Sequence, residues 1–252
     1  MRMQGNTIFI TGGSSGIGKG LAEAFHKLGN QLIITGRRES MLKDICALNP
    51  GMRYFVLDVT QPNEIRRVAA AAIAQFPGLN CVFNNAGVQM GHDFLADGPL
   101  DDAGMAEEVD TNILGVIRVA GGFLPHLKKK ENAVLMNVSS GLAFVPLARY
   151  PIYCATKAAV HSLTLSMRRQ LKTSGVKVIE LIPPYVETEL GGPNKTTSEN
   201  AGAPEPMPLD VFIEETMKEL TEDGEEVAIG MAKNLAAASG SEMKKVFAGM
   251  NR

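Results

Sequence analysis

The chain has 252 residues, 45% hydrophobic and 21% charged, with a net charge of −2, so it can bury the core of one large α/β domain or two small ones. That balance gives no electrostatic case for nucleic acid or an anionic membrane as partner, and no stretch approaches the ~20 apolar residues of a membrane span. Cys46, Cys81 and Cys154 are widely spaced and the first residues, Met1-Arg2-Met3-Gln4-Gly5, lack an apolar signal core; free thiols and a cytoplasmic location are expected.

Apolar runs alternate with helical periodicity from the start. Residues 7–11, 31–35, 53–57, 80–84, 133–138 and 177–182 read as short buried strands, and 17–28, 39–48, 62–76, 105–127 and 152–173 as helices. Near-continuous apolar strands separated by helices predict a doubly wound, Rossmann-type α/β domain with a mainly parallel sheet covered on both faces. The usual relation of its halves gives the strand order 3-2-1-4-5-6, extended to 3-2-1-4-5-6-7 by a short edge strand at 226–229. One domain over 1–252 is expected. Within it, the Gly-, Pro- and Ser-rich segment 190–208 reads as a substrate lid or loop. Residues 209–252 read as a C-terminal helical extension, with a helix at 209–220 and a tail at 231–250 interrupted near Gly240.

Thr11-Gly12-Gly13-Ser14-Ser15-Gly16-Ile17-Gly18 joins the first predicted strand to the first predicted helix. Glycines let backbone approach a pyrophosphate, and free N–H groups at a helix start attract the anion; in that position the loop points to dinucleotide binding rather than to a merely steric turn. About 20 residues further on, an acid would hold a ribose 2′-hydroxyl. Gly36-Arg37-Arg38 stands there instead, suited to a 2′-phosphate, so NADP(H) is preferred, with NAD(H) as the alternative.

The stretch 139–157 opens with Ser139-Ser140 after an apolar run and closes with Tyr153-x-x-x-Lys157. On a helix, residues four apart share a face. A serine at a strand end facing them would bring a hydroxyl, a phenol and an ammonium together, equipment for moving a proton onto or off an oxygen.

In order, Thr11-Gly12-x-x-x-Gly16-Ile17-Gly18, Asp58-Val59, Asn84-Asn85-Ala86-Gly87, Asn112, Ser140 and Tyr153-x-x-x-Lys157 resemble the short-chain dehydrogenase/reductase family over residue 6 to about 190. Gly36-Arg37-Arg38, Asn49-Pro50-Gly51, 138–146 and Pro183-Pro184 are similar, more narrowly, to its DltE-type oxidoreductases. The resemblance implies hydride transfer between a nicotinamide and a carbonyl or alcohol carbon. Tyr153 would be the general acid/base, with Ser140 on the substrate oxygen and Lys157 on the ribose. Asn112 would hold a water that links Lys157 to solvent.

By the same resemblance, Ser14, Ser15, Gly16, Ile17, Gly18 and Gly12 would hold the cofactor with Arg37, Arg38, Asp58, Val59, Asn85, Ala86, Gly87, Pro183 and Thr188. Where the family usually reads Pro-Gly, Pro183-Pro184-Tyr185 rigidifies the pocket wall and adds a ring. Leu142, Tyr150 and Phe144 are expected on the opposite side, giving a partly apolar substrate pocket. Small residues on the apolar faces of 105–127 and 152–173 suggest a homodimer or higher homo-oligomer. Cys154 is expected to pack in the core, and His26, His92, His126 and His161 show no metal-ligand spacing. A dinucleotide-sensing or scaffolding protein without turnover is the alternative, disfavoured because Ser140, Tyr153 and Lys157 are all present. Epimerisation or dehydration would need a further base, which the sequence does not offer.

Overall fold

In chain order the elements are β1 (Thr7–Ile10), α1 (Gly16–Lys27), β2 (Gln31–Gly36), α2 (Glu39–Leu48), β3 (Arg53–Val56), α3 (Pro62–Gln75), β4 (Cys81–Asn84), α4 (Asp102–Val109), α5 (Val116–Leu127), β5 (Ala133–Val138), α6 (Pro151–Leu171), β6 (Val176–Ile182), α7 (Leu209–Glu219), β7 (Glu226–Ala228), α8 (Ala232–Ala237) and α9 (Gly240–Met250). The computed structural model describes residues 1–191 and 205–251. The strands form one seven-stranded sheet in the order β3-β2-β1-β4-β5-β6-β7, every neighbouring pair parallel.

Alternation along the central strands divides the core in two. Ile8, Ile10, Leu32 and Ile34 pack with Leu21 and Phe25 of α1, Leu42 of α2 and Phe212 of α7. Phe9 and Ile33 face the other way, against Ile65 and Val68 of α3 and Val119 and Phe123 of α5. Chain order reverses between β1 and β4, so the connections that leave their carboxyl ends run to opposite faces of the sheet and open a crevice there.

Two expectations are corrected. The third strand is not buried: Arg53 is exposed and Val56 is 39% exposed, because β3 is the sheet edge and has a neighbour on one side only. The helix expected over 105–127 begins at Asp102 and is interrupted by a π-helical turn, Asp110–Gly115, a wider turn that recurs at functional sites. Of the segment 190–208 expected as a lid, residues 192–204 lie outside the described residues.

Candidate active site

At the crevice the ends of β1 and β4 are tied by one hydroxyl. Thr11 Oγ1 donates to the Phe83 carbonyl at 3.3 Å and accepts from the N–H groups of Asn85 at 3.0 Å and Ala86 at 3.1 Å. The Asn85 amide donates to the carbonyls of Thr11 and Gly12. Gly12 sits at φ +65, and a Cβ there would come within 2.8 Å of the Ala86 Cα, so only glycine lets the two strand ends meet. Ser15 precedes α1 without capping it through its side chain, and the first turn holds no acid, so the helix's own first residues supply no side-chain acceptor for its leading N–H groups.

Gly12, Ser14, Ser15, Gly16, Ile17, Arg37, Arg38, Asp58, Val59, Asn85, Ala86, Gly87, Tyr153, Lys157, Pro183 and Thr188 line one cavity of about 1080 Å³. Gly36 joins them, unanticipated. Gly18 does not. It is buried behind the loop, where a Cβ would lie 2.3 Å from the Gly12 carbonyl oxygen, so close packing explains it. Arg37 pairs with Glu107 at 2.9 Å, while Arg38 spans Glu189 at 3.0 Å and the Ser15 hydroxyl at 2.8 Å. Asp58 Oδ1 accepts from the backbone and hydroxyl of Thr60, a turn-stabilising bond made while the residue also borders the cavity.

Further in, β5 delivers Ser140 and α6 delivers Tyr153 and Lys157, all three buried. The Ser140 hydroxyl lies near enough to the Tyr153 phenol to favour its ionised form, and Ser140 Oγ accepts from the Leu142 N–H at 3.1 Å. Lys157 Nζ lies 5.5 Å from the centre of the Tyr153 ring and donates to the Val138 carbonyl at 2.9 Å. Burial pushes the Tyr153 phenol up, against the opposing effect of the neighbouring Ser140 hydroxyl. Burial also pushes the Lys157 ammonium down to about 8. Asn112, in the π turn, does not reach the cavity. Its amide exchanges two bonds with the Val88 backbone, both 2.9 Å, and donates to Thr156 Oγ1 at 3.0 Å, holding the strand-end loop against α6.

The same cavity is also lined by Leu142, Tyr150 and Tyr185, together with Leu147, Met90, Met207, Met231, Leu235 and Met250. Phe144 is not among them. The short helical turn Gly141–Ala143 sends it to the His161 ring, 4.5 Å away between centres. Cys154 is buried, with Sγ between the Leu147 N–H and carbonyl.

Residues 6–199 match the family model described as short chain dehydrogenase. Across its full length the chain is 35% identical to the uncharacterised oxidoreductase DltE of Bacillus subtilis, covering 98% of that protein. A short-chain dehydrogenase of Burkholderia cenocepacia, solved in complex with NADP, superposes with a TM-score of 0.83 at 25% identity, 99% of each chain being covered. One from Burkholderia phymatum, in complex with NAD, shares the fold, with a TM-score of 0.80 at 22% identity over 94% of each chain. The chain belongs to the short-chain dehydrogenase family. As a family member it is a NAD(P)-dependent oxidoreductase of the DltE type.

Two buried carboxylates of this dehydrogenase escaped sequence reasoning. Glu108, on α4, accepts from the Met90 N–H at 2.9 Å and meets His92 Nε2 at 2.9 Å, pinning the loop that follows Gly87. Glu180, inside β6, meets His161 Nδ1 at 2.9 Å. A carboxylate within an apolar strand signals the need of a partner, which histidine spacing along the chain does not reveal.

Proposed function

We propose that the enzyme uses NADP(H) to interconvert a carbonyl and an alcohol, with Tyr153 as the proton donor and acceptor. The observation that carries the reading is the buried Ser140–Tyr153 hydroxyl pair backed by Lys157, in one cavity with a glycine cradle and two arginines. The uncapped start of α1 and the close approach at Gly12 fit a pyrophosphate, and Arg38, already bonded to Ser15, fits a 2′-phosphate. When bound, the nicotinamide supplies or takes up a hydride.

The protein's own part is the proton. In reduction Ser140 donates a hydrogen bond to the carbonyl oxygen, and Tyr153 transfers its proton to that oxygen as alkoxide charge develops. Burial, which keeps the phenol protonated, suits this direction. In the reverse direction Tyr153 must ionise, and the charge of Lys157 lowers the cost of the phenolate. Lys157 is also assigned to the ribose hydroxyls, and Asn112, through the loop at Val88, to positioning.

Carbonyl reduction followed by nicotinamide absorbance tests the reading: Tyr153→Phe should lose about 10²–10⁴-fold in kcat while retaining NADPH binding, and full activity would refute the assignment. Fluorescence titration should favour NADPH over NADH, and equal affinities would remove the arginine argument. We further propose a homodimer through α5 and α6, where Ile117 and Leu165 are 44% and 42% exposed. A monomeric mass by light scattering would exclude it.

A further inference from the structure

We propose that the natural substrate is an uncharged aldehyde or ketone bearing an apolar tail, and that α9 forms the wall that measures the tail. The proposal rests on the carbonyl-reducing reading above and assigns its substrate class. Four methionines from four separate segments, Met90, Met207, Met231 and Met250, line the same cavity as Ser140 and Tyr153. Contacts join two of these segments, those of Met207 and Met231, to the Pro184-Tyr185 wall. Met207 exchanges backbone bonds with Tyr185 and Glu187, and its Sδ lies 3.5 Å from where a Cβ on Gly230 would be.

Unbranched thioethers shape themselves around varied apolar groups. Charged groups are sparse here. Among the described lining residues Arg37, Arg38, Asp58 and Glu189 belong with the glycine loop, and Lys157 is bonded to the Val138 carbonyl. That leaves the exposed Glu205, whose charge repels a carboxylate or phosphate on a substrate.

The second observation concerns α9. None of its residues is buried, yet Met250 and Gly249 border the cavity. What fastens the helix end is Asn251, which accepts from the Ala148 N–H and donates to the Pro146 carbonyl at 3.2 Å and to Phe247 at 2.8 Å. Pro146 and Ala148 belong to the loop that leads into α6 and Tyr153. Asn251 is therefore a positioning residue for the tail wall.

The test is kcat/KM over straight-chain aldehydes from propanal to decanal, with ω-carboxylate analogues of matched length. It is paired with calorimetric titration of 1-alkanols and ω-hydroxy acids onto NADPH-loaded protein. Each added methylene should raise kcat/KM and affinity about threefold until the wall is reached, and the carboxylates should be at least tenfold poorer. Met250→Ala and Asn251→Ala should each lower the octanal-to-propanal ratio of kcat/KM about fivefold; a ratio is insensitive to partial unfolding, which lowers both values alike. A flat series, a preference for the carboxylates, or ratios unmoved by both variants would overturn the proposal. If alkanols bind with the expected length dependence but no carbonyl is turned over, the catalytic reading fails and the tail site stands.

Discussion

At the glycine-rich end of the cleft the backbone of Gly12 touches Ala86, Gly18 is packed onto Gly12 and Asn85, and the strand residues that lead there, 8–10 and Cys81–Asn84, are buried. At the methionine-lined end Met231 is 51% exposed, and Met250 rides on a helix that buries none of its residues. The first end is made of sheet and close contacts that no side chain can enter. The second is made of loops and late-sequence helices whose side chains can be exchanged. A ligand common to a whole family can be served by the rigid end, whereas an enzyme's own substrate is selected at the adaptable one.

Substitutions probe that contrast, and the largest effect is expected at Gly18. Gly18→Ala drives a methyl to within 2.3 Å of a carbonyl oxygen and should destabilise by about 3 kcal/mol, with loss of NADPH binding. Urea denaturation with cofactor titration measures both, and a fully stable, binding-competent variant would show that the end is not rigid.

Lys157 combines function with strain. Its amine ionises near 8 in the fold against an ordinary 10.5, so between those values the unfolded chain binds more protons and stability rises with pH. Lys157→Met should remove that rise. It should also make the cofactor-free protein more stable at pH 7 by about 1–3 kcal/mol, while turnover falls by orders of magnitude. Parallel pH dependences of melting temperature in the two proteins would contradict this.

A milder change is expected from Glu189→Gln. It frees Arg38 from an exposed ion pair and should tighten NADPH binding about two- to fivefold, leaving NADH unchanged; equal gains for both cofactors would argue against a phosphate role for Arg38. Smallest of all, Met231→Leu at the adaptable end should shift stability by no more than about 0.5 kcal/mol, and a loss like that of Gly18→Ala would erase the distinction between the two ends.

The same contrast governs how much was legible in the sequence. Strand and helix positions followed from hydrophobic period and glycine punctuation, and their bounds differ from the structure by a residue or two, except that the helix expected from 105 begins at Asp102 and is broken by the π turn. The residues of the glycine loop and 139–157 were legible because local geometry dictates them. What stayed hidden depends on neighbours remote in sequence. The π turn arises where Asn112 answers Val88, 24 residues away. Nothing near Phe144 in the chain says that it will meet His161, and the Glu108–His92 pair needs the fold to exist before either partner has a reason to be there. Gly18 lies behind the loop and not on the cavity, and in sequence a glycine that makes room for backbone reads the same as one that makes room for a ligand.

Thr11 carries a consequence of its own. Its hydroxyl offers one proton and two lone pairs, and all three are spent on Phe83, Asn85 and Ala86. The alphabet open at this position is therefore two letters long: serine repeats the same wiring, whereas valine, nearly identical in shape, leaves the Ala86 N–H with nothing to address and the Asn85 N–H with the Phe83 carbonyl alone. Substitution tables would rank valine as the gentle change, but here hydrogen-bond valence, and not volume, decides what the site can inherit.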